Sequence, residues 1–256
     1  METSTRDLYL DLLIKTVTNK IYGDPWTNPI NAHSINSFRP ELRDEGRDPW
    51  PTVAHTMIGV RRLENVRELG QRVIDERVPG DFIEAGVWRG GCCIFMRGLL
   101  AANGVTDRKV YVADSFDGVP PPNPEQFPHD SGLNLHLYRA LAVPVEEVKA
   151  NFARYGLLDD QVVFVEGRFQ ETLPALEAAA FALVRLDGDL YESTSAALEA
   201  LYPKLTPGGF VILDDFQLIA ACRQAVLDYR AENGIDAVIH EPDWNSAWWQ
   251  KPPIGR

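Results

Sequence analysis

The chain has 256 residues, of which 45% are hydrophobic and 24% are charged, and its formal net charge is −12. This length and composition are typical of one globular domain with a large buried core, and we expect residues 1–256 to form a single domain. The excess of acids disfavours nucleic acids and anionic membranes as partners, because both repel a negative protein surface.

The cysteines and the N-terminus exclude further classes. Cys92, Cys93 and Cys222 are odd in number and lack zinc-ligand spacing, so we interpret them as small core residues. No apolar run reaches the roughly 18 residues of a membrane helix, and "METSTRDLYLDLL" lacks the apolar core of a signal peptide. These features predict a cytoplasmic protein without a membrane partner.

Residues 1–53 are predicted to form a helix followed by a lid loop. Leu10, Leu13 and Val17 recur at helical spacing, whereas residues 23–51 contain five prolines and many turn formers. A loop this long either covers a site as a lid or packs its aromatic residues against the flank of the domain, and both interpretations stay open. A second helix is expected from residue 54 to residue 75.

From residue 81 onward, apolar strands alternate with helical segments. This rhythm predicts an α/β fold with a doubly wound, mostly parallel sheet. The predicted strands are 81–85, 109–113, 161–165, 181–186 and 208–213, and the predicted helices are 90–102, 145–155, 171–179, 190–202 and 217–233. The segment "DAVIHEPDWNSAWWQKPP" predicts a C-terminal β-hairpin that adds an antiparallel strand at a sheet edge.

A second irregular stretch, residues 117–143, also contains five prolines. It follows the second predicted strand of the sheet. Ligands of doubly wound sheets bind outside the carboxyl ends of the strands, so we expect this insertion to form a roof over the site.

The first strand of the sheet runs into a glycine turn, "DFIEAGVWRGG". Gly86, Gly90 and Gly91 let the backbone approach a ligand at the start of a helix. The spacing matches neither G-x-G-x-x-G nor a phosphate-binding loop, and Glu84 would repel a pyrophosphate. A cationic group such as the amine of a methionine moiety fits better, although a tight turn without a ligand is the alternative.

The ends of the next two strands carry candidates for a nucleoside. Asp114 is placed to accept hydrogen bonds from both hydroxyl groups of a ribose. Gly167, Arg168 and Phe169 follow the third strand, where an adenine would lie. Together with Glu84 and the glycine turn, these residues indicate a site for S-adenosylmethionine.

Two later strands end in paired acids, Asp187 with Asp189 and Asp214 with Asp215. Crowded carboxylates repel each other, and a divalent cation removes that repulsion. A set of carboxylates without histidine or cysteine favours Mg²⁺, with Asp187, Asp214 and Asp215 as its ligands. The alternative is that the acids cap the helices that follow them.

Several motifs together resemble those of the macrocin O-methyltransferase (TylF-type) family of sugar O-methyltransferases. They are "PTVAHTMIG", "GDFIEAGVWRGG", "VADSFDG", "ARYGLLDDQV", "RLDGDLYEST" and "PGGFVILDD", and the resemblance extends from Tyr9 to Trp249. It implies a Rossmann-like class I methyltransferase fold and an enzyme that uses S-adenosylmethionine and Mg²⁺. The implied acceptor is a sugar hydroxyl of a glycosylated natural product such as a macrolide or an aminocoumarin, and relatives form dimers or tetramers.

The resemblance also implies roles for individual residues. Asp189 would be the general base, and Asp187, Asp214 and Asp215 would bind the metal, with Asp187 also near the donor. The donor's methionine end would contact Thr56, Met57, Glu84, Gly86, Trp88 and Arg89, and its ribose and adenine would contact Asp114, Ser115 and Phe116. Leu135 and His136 would contact the acceptor. Family members often have Trp where Arg168 stands, so the adenine contact there is an open point.

An alkyl hydroxyl is a poor nucleophile at neutral pH, so coordination to a divalent cation and proton removal by Asp189 are expected to act together. Three alternatives stay open: a metal-dependent methyltransferase for catechols or other phenols, a hydrolase or phosphotransferase, and a non-catalytic binding protein.

Overall fold

The structure is a computed structural model that describes residues 4–28, 31–48, 50–176 and 180–252. Its helices and strands, in chain order, are α1 (Thr5–Val17), β1 (Trp26–Asn28), β2 (Asn31–Asn36), α2 (Pro40–Glu45), β3 (Trp50–Pro51), α3 (Val60–Asp75), β4 (Asp81–Ala85), α4 (Gly91–Ala102), β5 (Val110–Asp114), α5 (Val145–Arg154), β6 (Val162–Glu166), α6 (Phe169–Thr172), β7 (Phe181–Leu186), α7 (Tyr191–Leu201), β8 (Leu205–Leu213), α8 (Ala220–Glu232) and β9 (Ala247–Gln250).

The central sheet has six strands in the order β6-β5-β4-β7-β8-β9. All neighbours are parallel except β8 and β9, which are antiparallel. The chain proceeds from β4 outward to β6 and then returns to β7 on the other side of β4. The switch point of this doubly wound sheet therefore lies between β4 and β7, which is where such folds bind ligands. The predicted fold class is confirmed.

Helices cover both faces of the sheet, as a parallel sheet requires. On one face, Phe82, Val112 and Phe210 pack in a core with residues of α1, α3 and α4. On the other face, Ile83 and Val184 pack with residues of α7 and α8. Adjacent residues of β4 thus point to opposite faces, which is why its sequence is apolar without alternation.

The prediction of a long loop over residues 23–51 is wrong. Strands β1, β2 and β3 form a small antiparallel sheet, and α2 lies between β2 and β3. Strands of two to six residues, one interrupted by a bulge, give too little periodicity to be recognised in a proline-rich sequence. Residues 29, 30 and 49 of the predicted loop lie outside the described residues.

Three boundary predictions also differ from the structure. Helix α3 begins at Val60 rather than at residue 54, because the preceding segment runs past α4, where the Gly91 N–H donates to the His55 carbonyl at 2.8 Å. Where a helix was predicted over residues 171–179, the structure has the short α6, which ends at Thr172. Residues 177–179 of the predicted helix lie outside the described part of the chain. The predicted hairpin consists of β9 and one bridge between His240 and Trp248.

The predicted insertion contains three 3₁₀ turns, Pro128–Asp130, Leu135–Leu137 and Arg139–Leu141. It is joined to the small N-terminal sheet by the rings of Trp50 and Tyr138, whose centroids are 5.7 Å apart. Among the described residues, no helix has the length and apolar character needed to cross a bilayer.

Candidate active site

A cavity of about 320 Å³ opens at the carboxyl ends of β4, β5, β6 and β7. Its walls come from the segment before α3, the glycine turn, the insertion and the ends of these strands. The predicted site residues that line it are Thr56, Met57, Glu84, Gly86, Trp88, Asp114, Ser115, His136, Gly167, Arg168, Phe169, Asp187 and Asp189. Motifs far apart in the sequence thus share one cavity.

Gly86 makes the closest backbone contact at the switch point. Its φ is +91°, and a Cβ atom on this residue would lie 1.9 Å from the carbonyl oxygen of Asp187. The Asp187 N–H donates to the Ala85 carbonyl at 2.8 Å, so β4 and β7 stay paired up to this point. A residue without a side chain is therefore required for the turn to sit beside Asp187.

The segment before α3 is held against the start of α4. Arg89 donates from Nη1 to the Ala54 carbonyl at 2.9 Å, and its guanidinium lies 4.1 Å from the Trp88 ring centroid. A Cβ atom on Gly91 would lie 2.5 Å from the His55 carbonyl oxygen. These contacts place Thr56 and Met57 at the cavity wall, so Arg89 supports the wall rather than lining it.

The carboxylate of Asp114 organises the neighbouring turn. It accepts the N–H of Val87 at 2.7 Å and the N–H of Phe116 at 2.9 Å. Burial raises the pKa of Asp114, and the backbone donors oppose that shift. Phe116 is 7% exposed with φ +56°, and it packs in the core instead of lining the cavity.

Asp187, Asp214 and Asp215 lie together beside the cavity. One carboxylate oxygen from each residue lies within 4.8 Å of the others. Asp189 follows in a left-handed backbone conformation, with φ +58°. Asn245, in the turn before β9, donates to Asp215 Oδ1 at 3.1 Å.

Two buried arginines contact this cluster within the described residues. Arg62 Nη1 donates to Asp214 Oδ2 at 2.5 Å, and Arg62 Nε lies 2.9 Å from Asp243 Oδ2. Arg185 bonds Glu84 and Asp214 and lies 3.0 Å from Asp187 Oδ2. Sequence reasoning missed both arginines, although an arginine inside a buried apolar strand signals a charged partner.

Burial and mutual repulsion shift the pKa values of the clustered acids. Burial and the charge of Asp187 raise the pKa of Asp189 to about 8, and burial with Asp189 raises that of Asp215 to about 8. Burial and Asp214 also raise the pKa of Asp187. Burial opposes ionisation of Asp214, yet Arg185 and Arg62 hold its pKa below the usual value.

The alternative that these acids serve as helix caps is not supported. Helix α7 is capped from the insertion: Asp130 accepts the N–H of Tyr191 at 2.6 Å and that of Glu192 at 3.2 Å. In α8, the described N-cap residue, Ile219, makes no side-chain capping bond. The acids therefore need another explanation for their proximity. Asp130 itself was missed, because it lies about sixty residues before the helix that it caps.

The remaining predicted residues lie near the cavity without lining it. Leu135 precedes His136 in the second 3₁₀ turn of the insertion, and Asp214 and Asp215 are neighbours of Asp187, which does line the cavity. His136 does line the cavity, and its Nδ1 is buried without a hydrogen-bond partner among the described residues.

Comparisons with known proteins show the family and the fold of this chain. A sequence model of the macrocin-O-methyltransferase (TylF) family matches residues 6–251. An 8-demethyl-8-(2,3-dimethoxy-alpha-L-rhamnosyl)-tetracenomycin-C 4'-O-methyltransferase from Streptomyces olivaceus is 50% identical over 98% of this chain and 95% of its own length. A demethyldecarbamoylnovobiocin O-methyltransferase from Streptomyces niveus is 47% identical over 97% and 95%. The solved structure of the O-methyltransferase NovP superposes with a TM-score of 0.91, at 46% identity, over 96% of this chain and 99% of that one.

Proposed function

Because the chain belongs to the macrocin O-methyltransferase family, we propose that it transfers the methyl group of S-adenosylmethionine to a sugar hydroxyl of a glycosylated natural product. The observation that carries the proposal is that one cavity is lined by the glycine turn and by Asp187 and Asp189, and that Asp187 belongs to the carboxylate cluster. The family and the fold support the O-methyltransferase activity and the donor. The nature of the acceptor and the use of Mg²⁺ are proposals.

The acceptor class follows from the relatives and from the cavity. One relative acts on a rhamnosyl derivative of tetracenomycin C and another on a novobiocin precursor, so their aglycones differ. We infer a glycoside of the macrolide or aminocoumarin kind for this chain. The insertion lines the cavity with His136 and would contact the acceptor there. The N-terminal sheet supports the insertion from outside through the contact of Trp50 with Tyr138.

Residues of this chain suit the separate parts of the donor. Bound S-adenosylmethionine supplies a methyl group on a positively charged sulfonium. Thr56, Met57 and Glu84 would hold its methionine end at the glycine turn. Asp114 keeps lone pairs for a ribose, although backbone N–H groups already orient it. Gly167, Arg168 and Phe169 stand where the adenine would lie.

The cluster has the composition of a Mg²⁺ site. Its ligands would be Asp187, Asp214 and Asp215, whose oxygens are close enough to share one ion. Glu84, Asp187 and Asp214 contact the guanidinium groups of Arg185 or Arg62, whereas Asp189 and Asp215 make no ion pair within the described residues. A divalent cation would favour the ionised form of these acids and offset their charge. Such an ion lowers the pKa of an alcohol that coordinates to it.

Asp189 would then remove the proton of the acceptor hydroxyl. Its left-handed backbone turns the side chain into the cavity directly after Asp187. A cation held by Asp187 and Asp215 would lower the pKa of Asp189 and so favour its basic form near neutral pH. Asp189→Asn is expected to keep donor binding and lower kcat by at least about 10²-fold, and unchanged turnover would contradict the assignment.

The proposal is tested by calorimetry with S-adenosylhomocysteine, followed by a panel of desmethyl glycosides assayed against a catechol under the same conditions. Methyl transfer to a glycoside with none to the catechol is expected. Transfer to the catechol alone would favour a phenol methyltransferase, and failure to bind S-adenosylhomocysteine would refute the proposal. Activity that survives exhaustive chelation would refute the metal requirement.

We also propose a homo-oligomer, a dimer or tetramer, from the resemblance to the family. Helix α1 exposes Leu8 and Leu12, and Tyr22 beyond it is 86% exposed. Light scattering of the purified protein tests this, and a monomer at micromolar concentration would contradict it.

A further inference from the structure

Arg185 lies between the two parts of the cavity that the proposed function assigns to different ligands. It is 1% exposed and belongs to β7, two residues before Asp187. Its Nη1 group donates to Glu84 Oε1 and, at 3.0 Å, to Asp187 Oδ2, while Nη2 donates to Asp214 Oδ1. The guanidinium of Arg185 therefore joins Glu84, which precedes the glycine turn, to two carboxylates of the cluster.

Glu84 is enclosed on both of its oxygens. It is 1% exposed, and its Oε2 accepts a hydrogen bond from the Cys93 thiol at 2.7 Å while its Oε1 is held by Arg185. What Glu84 can offer to the amine of a donor is limited by these two bonds. A stronger bond from Arg185 leaves less of the carboxylate for a ligand.

We infer that Arg185 is a positioning residue that couples two binding events, the binding of a divalent cation to the acid cluster and the binding of the donor's methionine end at Glu84. The inference rests on the proposed function, which places a divalent cation at Asp187 and Asp214 and the donor's methionine end at Glu84. A cation there competes for the carboxylate oxygens and repels the guanidinium. The N–H groups of Arg185 that no longer bond Asp187 and Asp214 then bond Glu84 more strongly. The cation therefore weakens the binding of the donor at Glu84.

The same coupling acts in both directions. If Mg²⁺ weakens the binding of a donor analogue by some factor, the analogue weakens the binding of Mg²⁺ by the same factor. S-adenosylhomocysteine is the suitable probe, because it lacks the sulfonium charge and is repelled little by the metal directly. We expect its Kd to rise at least about fivefold in saturating MgCl₂ compared with the chelated protein.

The variant Arg185→Lys tests whether the coupling needs the geometry of the guanidinium or only its positive charge. Arg185→Lys keeps a positive charge, but a single ammonium cannot hold all three carboxylates in a fixed arrangement. In this variant, the Kd of S-adenosylhomocysteine in saturating MgCl₂ is expected to lie within about twofold of its Kd in the chelated protein, so that the ratio of the two Kd values falls towards one. If this variant does not fold, Cys93→Ala replaces it: loss of the thiol donor frees Glu84 Oε2 for the ligand, which also lowers the ratio.

Two matched arginines serve as controls. Arg62 contacts Asp214 and Asp243 but not Glu84, so Arg62→Lys is expected to change Mg²⁺ affinity and leave the ratio intact. Arg97 is 7% exposed and pairs with Asp159 outside the cavity, so Arg97→Lys is expected to change neither.

Both binding constants are measured by titration calorimetry, with folding of each variant checked by near-ultraviolet circular dichroism. If both ligands bind the wild-type protein but Mg²⁺ leaves the Kd of S-adenosylhomocysteine unchanged or lowers it, the inference is overturned and the proposed function is not. A folded Arg185→Lys protein that keeps the wild-type ratio also overturns the inference. Wild-type protein that binds no S-adenosylhomocysteine at all overturns the proposed function, and the inference with it.

Discussion

Asp130 offers a direct test of how the insertion supports the turn at Asp189. Its side chain is fully buried and accepts the first two free N–H groups of α7, a helix that begins two residues after Asp189. Tyr191, the first residue of α7, also stacks on the His129 ring with centroids 5.2 Å apart. The insertion and the Asp189 turn are thus fixed to the same helix end.

Replacing Asp130 with Asn keeps the shape and removes the charge. The amide oxygen can accept one N–H, while the amide NH₂ faces the other, which stays buried and unpaired at a cost of about 1–3 kcal/mol. Loss of the negative charge at the helix N-terminus costs about 1 kcal/mol more. We therefore expect about 2–4 kcal/mol of destabilisation, which lowers Tm by about 4–8 °C in a chain of this size.

Activity should fall with stability, because the Asp189 turn loses its fixed helix end. We expect kcat to decrease about tenfold, with donor Kd nearly unchanged, since that subsite lies on β4 and β5. Glu125→Gln is the matched control: Glu125 is an exposed acid of the same insertion, and its replacement should change neither Tm nor kcat. A Tm within 1 °C of wild type would refute the capping argument, and a lower Tm with unchanged kcat would refute its link to catalysis.

Three further predictions follow from local geometry. Gly86→Ala should lower the free energy of unfolding by at least about 3 kcal/mol and weaken Mg²⁺ binding, because the new Cβ displaces Asp187. Chemical unfolding and metal titration measure these effects, and an unfolding midpoint equal to that of wild type would contradict the prediction. Burial, with nearby Arg154, lowers the pKa of His55 to about 4. Unfolding therefore takes up a proton at His55 between about pH 6.5 and 4, so the stabilisation that neutral His55 contributes should fall by about 2 kcal/mol over this range, after a discount for its partial exposure. In urea unfolding, wild type should lose about that much stability relative to His55→Gln between these two pH values, and a constant difference between the two proteins would contradict the prediction. Exhaustive chelation should abolish methyl transfer and Mg²⁺ should restore it, whereas Zn²⁺ should restore it poorly, because zinc prefers nitrogen and sulfur ligands.

The parallel strands could be located from the sequence because burial on both faces makes each one a continuous apolar run. Strands β4 and β7 begin and end at the predicted residues, and the order of motifs along the chain located the strand-end carboxylates. The cluster of Asp187, Asp214 and Asp215 was predictable for the same reason, since parallel strands bring their carboxyl ends to one edge.

Other features depended on contacts that sequence patterns do not carry. Strand β8 begins at Leu205 rather than 208, because Gly208, with φ +89°, forms an irregularity inside the strand instead of a turn before it. Arg185 interrupts an apolar strand, and its function depends on carboxylates from two other strands. Asp130 acts on a helix about sixty residues away, which local capping signals cannot reveal.

The end of the chain has a consequence for how the protein tolerates shortening. The parallel sheet is complete at Leu213, yet the amide that orients Asp215 comes from Asn245, and Trp249 of β9 is fully buried against the sheet. Proteolytic cleavage after Trp244 would keep Asp187, Asp214 and Asp215 in the chain and would remove the amide that donates to Asp215. Trimming at this terminus is therefore expected to silence the enzyme before the parallel strands come apart.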